Sequence, residues 1–209
     1  VPELSGKTKI ELIKKTSSNL TIVPGTYADA LEAANKHQAE TNAISVHAYD
    51  TAKTVVGQGT LFCEWEQQGL QADTLIIAVG GGGLISGAIS WFGKTKKIVA
   101  VEPEKCPTLN VALENGKPTS VSVSGVAANA LGAKLIGNIC FNLSAQNEIE
   151  SVLVSDSEIV EAQNLLWEKH RMLVEPAGAA ALAAIISGKY QNSPNEKLAI
   201  LICGANPTV

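Results

Sequence analysis

Short runs of apolar residues recur along the chain, each only four to six residues long. They are rich in β-branched side chains and apolar at nearly every position, which is typical of strands buried on both faces of a parallel sheet. The predicted strands are LTIV (20–23), AISVHA (43–48), TLIIAV (74–79), KIVAV (97–101) and KLAILI (197–202).

Longer amphipathic segments lie between these runs and predict helices. Thr26 is a candidate N-cap for the first, Ser155 and Glu158 form a capping-box pattern at the start of the second, and the third begins at Pro176 and ends at Gly188. Helices that alternate with short strands predict an α/β fold with a doubly wound, mainly parallel sheet. The predicted helices are TYADALEAANKHQAE (26–40), SDSEIVEAQNLLWEKHRML (155–173) and PAGAAALAAIISG (176–188).

The sequence changes character near residues 50–57, where YDTAKTVVG separates the first β-α-β pattern from the later units. We therefore predict a smaller α/β lobe at residues 1–52 and a larger lobe at residues 53–209. Within the larger lobe, residues 116–133 are small, polar and interrupted by glycines. Because this stretch has no clean period, it is predicted to be a loop-rich segment over the sheet.

Composition narrows the possible partners. Of the 209 residues 45% are hydrophobic, the net charge is −4 and there is no basic run, so no nucleic acid is expected as a partner. No apolar stretch approaches the roughly 18 residues of a membrane span. The four cysteines form no C-x-x-C pair, which argues against a structural zinc site and favours free thiols in the cytoplasm. A single arginine, Arg171, nearly excludes arginine clamps on phosphate or carboxylate.

Four consecutive glycines in AVGGGGLISGAIS (78–90) stand between an apolar run and a helix-like segment. A strand, a glycine turn and a helix place backbone N–H groups and the positive end of a helix around an anion, so the run predicts a phosphate cradle. Side chains at these positions would obstruct the N–H groups, and several of the glycines are expected to need a positive φ. A tight turn that merely needs glycine is the alternative.

The same region partly matches a dinucleotide-binding pattern. Gly81-x-Gly83 together with Gly87 is close to the dinucleotide fingerprint, and Glu102 ends the next predicted strand about 20 residues further on. Against this, Pro103 directly follows Glu102, and a full β-α-β pattern precedes a motif that usually opens its domain. An NAD-dependent oxidoreductase is therefore kept as an alternative.

Five motifs occur together and in a fixed order: GQGT (57–60), VGGGGLISG (79–87), VEP (101–103), VEPAGAAALAA (174–184) and ICGAN (202–206). Together they resemble the fold-type II pyridoxal-phosphate enzymes, and most closely the serine/threonine dehydratase and serine racemase branch. The resemblance runs from about Ala43 to Asn206. It implies a tryptophan synthase β-like fold and pyridoxal 5′-phosphate (PLP) as the cofactor.

The resemblance also implies which residues bind that cofactor. In the family, backbone N–H groups of the glycine loop bind the phosphate. The corresponding residues here are Gly80, Gly81, Gly82, Gly83 and Leu84.

Three further residues are expected near the PLP ring. Cys203 stands where the family has Ser, Thr or Cys hydrogen-bonded to the pyridine nitrogen, and a neutral group there suits elimination of a β-hydroxyl. Glu175 corresponds to a glutamate near the ring, and Gly125 to a glycine in the loop that passes over ring and substrate. The alternatives are a buried core cysteine at Cys203 and a carboxylate at a helix N-terminus at Glu175.

The chain departs from the family pattern at several positions. Ser124 replaces the usual Asp before Gly125, which affects substrate preference and the handling of the β-hydroxyl. Family members that bind a cation use the Glu of VEP with a further acidic residue, but Cys106 and Thr108 occupy the partner positions here, so no metal is expected. HAYD (47–50) replaces the usual His-Pro-aromatic-Asp.

Two elements of the family have no match in this sequence. Fold-type II enzymes carry a Schiff-base lysine and a Ser-Ser-Gly-Asn-His-type substrate-carboxylate loop in their N-terminal part, and no lysine here stands in such a context. We therefore expect no catalytic residue in this chain, an incomplete small lobe at residues 1–52, and an N-terminal segment of the same enzyme as a partner. The chain alone is expected to be inactive.

The expected function of the whole enzyme is elimination of water and ammonia from a β-hydroxy amino acid to give a 2-oxo acid. A homo-oligomer in the cytoplasm is expected. The alternatives are a racemase or β-replacement synthase of the same fold, the NAD-dependent oxidoreductase named above, and a non-catalytic lobe that binds phosphate.

Overall fold

The computed structural model describes residues 1–3, 5, 7–16, 18–25 and 27–205. These residues fall into two compact units, Val1–Val46 and a second unit that begins at His47. The predicted lobe boundary at residues 52/53 stays a prediction. Thr26, the candidate N-cap, and Asn206, the last residue of the ICGAN motif, lie outside the described residues.

The first unit contains two helices, α1 (Lys7–Lys14) and α2 (Tyr27–Thr41). The strand predictions at residues 20–23 and 43–48 were wrong. In LTIV only Val23 takes part in β-structure, as a single parallel bridge to Pro2. AISVHA is not a strand, because within the described residues no neighbouring strand pairs with it. Its apolar side chains Ile44 and Val46 are 81% and 85% exposed.

The second unit alternates helices with strands. The predicted helices at 155–173 and 176–188 are confirmed, although the first ends at His170 and the second at Ile186. Its elements are α3 (Ala52–Gln67), β1 (Thr74–Ala78), α4 (Gly83–Phe92), β2 (Lys97–Pro103), α5 (Thr108–Asn115), α6 (Ala128–Leu131), α7 (Asn138–Gln146), β3 (Glu150–Val154), α8 (Asp156–His170), α9 (Pro176–Ile186) and β4 (Leu198–Ile200).

The four strands form one parallel sheet in the order β3-β2-β1-β4. In the register, Ile76 of β1 is opposite Val99 of β2 on one side and Ile200 of β4 on the other. Every residue of β1 is buried, as its uninterrupted apolar run predicts. Strand β3 was not predicted, because it opens with Glu150 and Ser151 and is only partly buried.

Helices cover both faces of the sheet, so the doubly wound α/β prediction is confirmed. Successive residues of a strand point to opposite faces. Leu75 and Ile77 of β1 pack with residues of α3, α4 and α5, such as Phe62. Ile76 packs with residues of α8 and α9, such as Ile159.

Local signals explain where the two C-terminal helices begin. Ser155 caps α8 by accepting the N–H of Glu158, whose carboxylate accepts the N–H of Ser155 in return, so the predicted capping box is confirmed. Pro176 occupies the first turn of α9. In the part of the chain that the structure describes, no helix is both long and apolar enough to cross a membrane.

Candidate functional site

The strand order determines where a ligand-binding crevice can form. From β1 the chain proceeds to β2 on one side, whereas β4 is added on the other side. In open α/β sheets, ligands bind outside the carboxyl ends of strands at such a reversal of strand order. The glycine run follows β1 and Cys203 follows β4, so these residues, which are predicted to contact a phosphate and a ring, lie at this reversal.

A cavity of about 280 Å³ is present at this place. It contains six of the eight predicted cofactor-binding residues, namely the four glycines, Leu84 and Cys203, whereas Gly125 and Glu175 are not among its lining residues. None of the lining residues that the structure describes is charged, so neutral donors must hold any anion among them. The lining residues are Ala48, Tyr49, Gln58, Ala78, Val79, Gly80, Gly81, Gly82, Gly83, Leu84, Ile85, Ala130, Leu131 and Cys203.

The N-terminus of α4 supplies hydrogen-bond donors to this cavity. Helix α4 begins at Gly83, and Gly82 is its N-cap, with a φ of +93° and no side-chain cap. The first N–H groups of a helix have no acceptor within the helix, and they lie at the positive end of its dipole. Gly82 through Ile85 all line the cavity, so these donors fit a phosphate group.

The structure corrects the explanation for the glycines. Within the run only Gly82 has a positive φ, whereas several were expected. The run is instead closely covered by other parts of the protein. A Cβ on Gly81 would clash with the Tyr49 ring, and one on Gly82 would clash with the Cys140 sulfur. A Cβ on Gly80 would lie 3.0 Å from the backbone of Leu131.

The carbonyl groups of three successive glycines are each held by a donor. Gly80 O accepts the hydroxyl of Thr108 at 2.9 Å, and Gly81 O accepts the N–H of Gly137 at 3.1 Å. Gly82 O accepts both the hydroxyl of Ser86, at 2.6 Å, and its N–H, at 3.0 Å. The backbone of the run is therefore fixed by contacts outside it.

Cys203 presents a neutral thiol to the cavity. Its side chain is exposed in the crevice, and the thiol lies 3.7 Å from the carbonyl of Ala177, to which it donates. Desolvation by the surrounding protein raises the pKa of the Cys203 thiol, and the nearby carboxylate of Glu175 raises it further. The thiol therefore stays protonated at neutral pH, which suits a contact to an unprotonated pyridine nitrogen.

Glu175 is the N-cap residue of α9, but its side chain makes no capping hydrogen bond. The alternative interpretation, a carboxylate that caps this helix, is therefore not observed. Its backbone N–H donates to Gly204 O at 3.3 Å, and a Cβ on Gly204 would meet the Glu175 carboxylate. Glu175 thus lies against the residue that follows Cys203, beside the cavity rather than in its wall.

Gly125 lies in an exposed bend with a φ of +86°. The bend is held from two sides: Val126 N donates to the carboxylate of Asp156 at 3.2 Å, and the Cys106 thiol donates to Ser124 O at 3.3 Å. The chain then continues through α6, whose last residue, Leu131, lines the cavity. Gly125 is therefore connected to the site without lining it.

The carboxylate of Glu102 is fully buried and directed at the start of α5. It accepts the N–H groups of Leu109 and Asn110, each at 2.8 Å, and lies 3.0 Å from the hydroxyl oxygen of Thr108. Desolvation outweighs these hydrogen bonds and raises the pKa of Glu102 to about 7. Because Glu102 is occupied by α5 and does not line the cavity, it is not placed to bind a ribose, which weakens the NAD-dependent alternative.

Among the residues that the structure describes, no group of three or more His, Cys, Asp or Glu side chains is placed to hold a metal ion. The expectation of no metal stays a prediction.

Sequence reasoning assigned no role to several residues of the cavity wall. Tyr49 belongs to HAYD and Gln58 to GQGT, so both were contained in motifs that the sequence analysis noted. Leu131 lies in the stretch predicted to be loop-rich, which contains the short helix α6.

Taken together, the N–H donors, the apolar walls and the neutral thiol of the cavity fit a phosphate attached to an aromatic ring.

Comparison with proteins of known sequence gives a consistent result. L-threonine ammonia-lyase of Thermotoga maritima is 29% identical over 209 residues, which are 99% of this chain and 52% of that protein. Serine racemase of Arabidopsis thaliana is 28% identical over 213 residues, which cover 99% of this chain and 64% of that protein. The chain thus spans about half to two thirds of the length of these relatives.

Solved structures show the same fold. Maize serine racemase superposes with a TM-score of 0.92 at 26% identity, over 100% of this chain and 65% of that chain. Serine racemase of Dictyostelium discoideum gives a TM-score of 0.89 at 26% identity, over 100% of this chain and 68% of that chain. The model of the family described as "Pyridoxal-phosphate dependent enzyme" matches residues 1–204, nearly the entire sequence. The chain therefore belongs to the family of pyridoxal-phosphate-dependent enzymes.

Proposed function

We propose that the protein is a PLP-dependent lyase that eliminates water and ammonia from a β-hydroxy amino acid to give a 2-oxo acid. The observation that carries the proposal is the shared cavity of the glycine run and the Cys203 thiol. A neutral group at the ring nitrogen leaves the cofactor a weaker electron sink, which suits loss of a β-hydroxyl. The names of relatives support this choice, since they include L-threonine ammonia-lyase and a phenylserine dehydratase of Ralstonia pickettii.

When bound, PLP supplies the electron sink that acidifies the Cα–H of an amino acid. We propose that the N–H groups of Gly80 to Leu84 hold its phosphate, with the positive end of α4 carrying much of the charge. The Cys203 thiol would contact the ring nitrogen and keep it unprotonated. Glu175 and Gly125 lie outside the cavity wall. Glu175 would act through its charge near the Cys203 thiol, and the bend at Gly125 would act by fixing the position of α6.

In the part of the chain that the structure describes, no lysine lines the cavity. We propose that the Schiff-base lysine and the loop that binds the substrate carboxylate are supplied by a segment outside these 209 residues.

We further propose that the protein forms a homo-oligomer in the cytoplasm. Four free cysteines support the compartment, and exposed apolar side chains such as Trp167 and Leu173 fit an assembly surface.

The test uses the complete encoded protein with added PLP and either L-serine or L-threonine. We expect the 2-oxo acid and ammonia in equal amounts, with no turnover and weak, reversible PLP binding by the 209-residue chain alone. Gly82→Asp, which introduces a carboxylate among the phosphate donors, is the negative control. If L-serine gives D-serine and no 2-oxo acid, the protein is a racemase and not a lyase. If the protein binds NAD and not PLP, both of these functions are rejected.

A further inference from the structure

The direction of each N–H group in the glycine run is set by the carbonyl that shares its peptide unit. The peptide is planar and trans, so the N–H of Gly81 is directed opposite to the carbonyl of Gly80. A donor that holds the Gly80 carbonyl therefore also aims the Gly81 N–H. Glycine offers no side chain that would restrict this peptide otherwise.

Thr108 is the donor that holds the Gly80 carbonyl. It is the first residue of α5, it is fully buried, and it does not line the cavity. Its hydroxyl lies 2.9 Å from Gly80 O and 3.0 Å from a carboxylate oxygen of Glu102. The Gly81 N–H is thereby directed away from Thr108, while Gly81 itself lines the cavity.

Glu102 holds Thr108 in place in turn. Glu102 is the second-last residue of β2, the strand that precedes α5. Its carboxylate also accepts two N–H groups of that helix. A fully buried carboxylate that accepts two N–H groups and also contacts the Thr108 hydroxyl has little freedom to move. Among the described residues that hydrogen-bond to the carbonyls of the run, Thr108 is the one whose side chain comes from a different helix, because Ser86 belongs to α4 itself and Gly137 contributes only backbone.

We propose that Thr108 is a positioning residue for the cofactor phosphate: it links the buried carboxylate of Glu102 to the carbonyl of Gly80 and so aims the Gly81 N–H at the phosphate. The inference rests on the proposed binding of PLP by the glycine run. It adds a residue that touches neither the cofactor nor the substrate.

The test compares Thr108→Val with a matched control, Thr74→Val, in the complete encoded protein. Thr74 is also buried and also hydrogen-bonded to a carboxylate, that of Glu196, but it lies at the opposite end of β1. PLP affinity is measured by equilibrium dialysis, and thermal unfolding is followed without PLP. We expect T108V to weaken PLP binding about 10-fold, the effect of losing one buried hydrogen bond, and T74V to leave it unchanged while lowering the unfolding temperature.

A second pair protects the test against misfolding. T108S and T108A differ by the hydroxyl alone, and we expect T108S to bind PLP within about 2-fold of the wild type and T108A about 10-fold more weakly. In the turnover assay the T108V defect should disappear at saturating PLP. If T108V and T108A bind PLP like the wild type and only melt earlier, Thr108 is merely structural and the inference is wrong. Absence of PLP binding by the wild type would instead reject the proposed function.

Discussion

The buried carboxyl of Glu102 predicts an unusual dependence of stability on pH. Its pKa is raised from 4.5 to about 7, mainly by desolvation, against the effect of the N–H groups of Leu109 and Asn110. Between these two values the folded protein binds more protons than the unfolded chain, so the free energy of unfolding falls as pH rises. The stabilising contribution is complete below pH 4.5 and lost above about pH 7. At about 1.4 kcal/mol per pH unit, the loss is about 3 kcal/mol.

The measurement is urea unfolding between pH 4.5 and 8, in a buffer with a chelator, for the wild type, Glu102→Gln and Glu114→Gln. E102Q removes the titrating group, so its free energy of unfolding should fall by about 3 kcal/mol less than that of the wild type over this range. E114Q changes an exposed carboxyl of α5, the helix whose N–H groups Glu102 accepts, and should keep the wild-type slope. Parallel curves for the wild type and E102Q would refute the reasoning, because Glu102 would then remain ionised in the fold.

Three further predictions concern single residues. Gly82→Ala should cost about 2–5 kcal/mol of unfolding free energy, from a left-handed φ and a clash with Cys140, whereas Gly57→Ala, in a helix with open space around the new Cβ, should stabilise by about 0.5–1 kcal/mol. The reverse order in urea unfolding would contradict the packing. Cys203→Ala should leave stability nearly unchanged but lower kcat of the complete enzyme by about 5–30-fold, with Cys203→Ser close to wild type. If the two variants are equally active, the proposed contact between Cys203 and the ring nitrogen is wrong. Ser155→Ala should cost about 1 kcal/mol in the same unfolding assay, and no loss would show that the capping box of α8 is unimportant.

The central part of the sheet was predictable because burial on both faces leaves a simple pattern. TLIIAV and KIVAV are apolar at almost every position, and both form strands next to each other at the centre of the sheet. The glycine run was informative for a similar reason, since few structures other than a close backbone approach need four glycines together. These signals are local, because each one lies entirely within a single short stretch of the sequence.

The contacts that hold the glycine run were not predictable, because they join residues that are distant in sequence. Thr108 is 28 positions from Gly80, and the Tyr49 ring that covers Gly81 comes from the segment before α3. AISVHA failed for a related reason. Its short run of mainly apolar residues fits a strand, but a strand needs a partner, and within the described residues no neighbour pairs with Ile44 or Val46.

The position of the two site-bearing strands within the sheet gives the two ends of the cavity different local stabilities. Strand β1 is fully buried and paired on both sides, whereas β4 has three half-buried residues and, within the described chain, pairs with β1 alone. Amide hydrogens of Leu198–Ile200 should therefore exchange with solvent through small, frequent openings, while those of Leu75–Ile77 exchange only on global unfolding. A ligand held at both ends would be released first at Cys203 and last at the glycines, and binding should slow exchange most along β4.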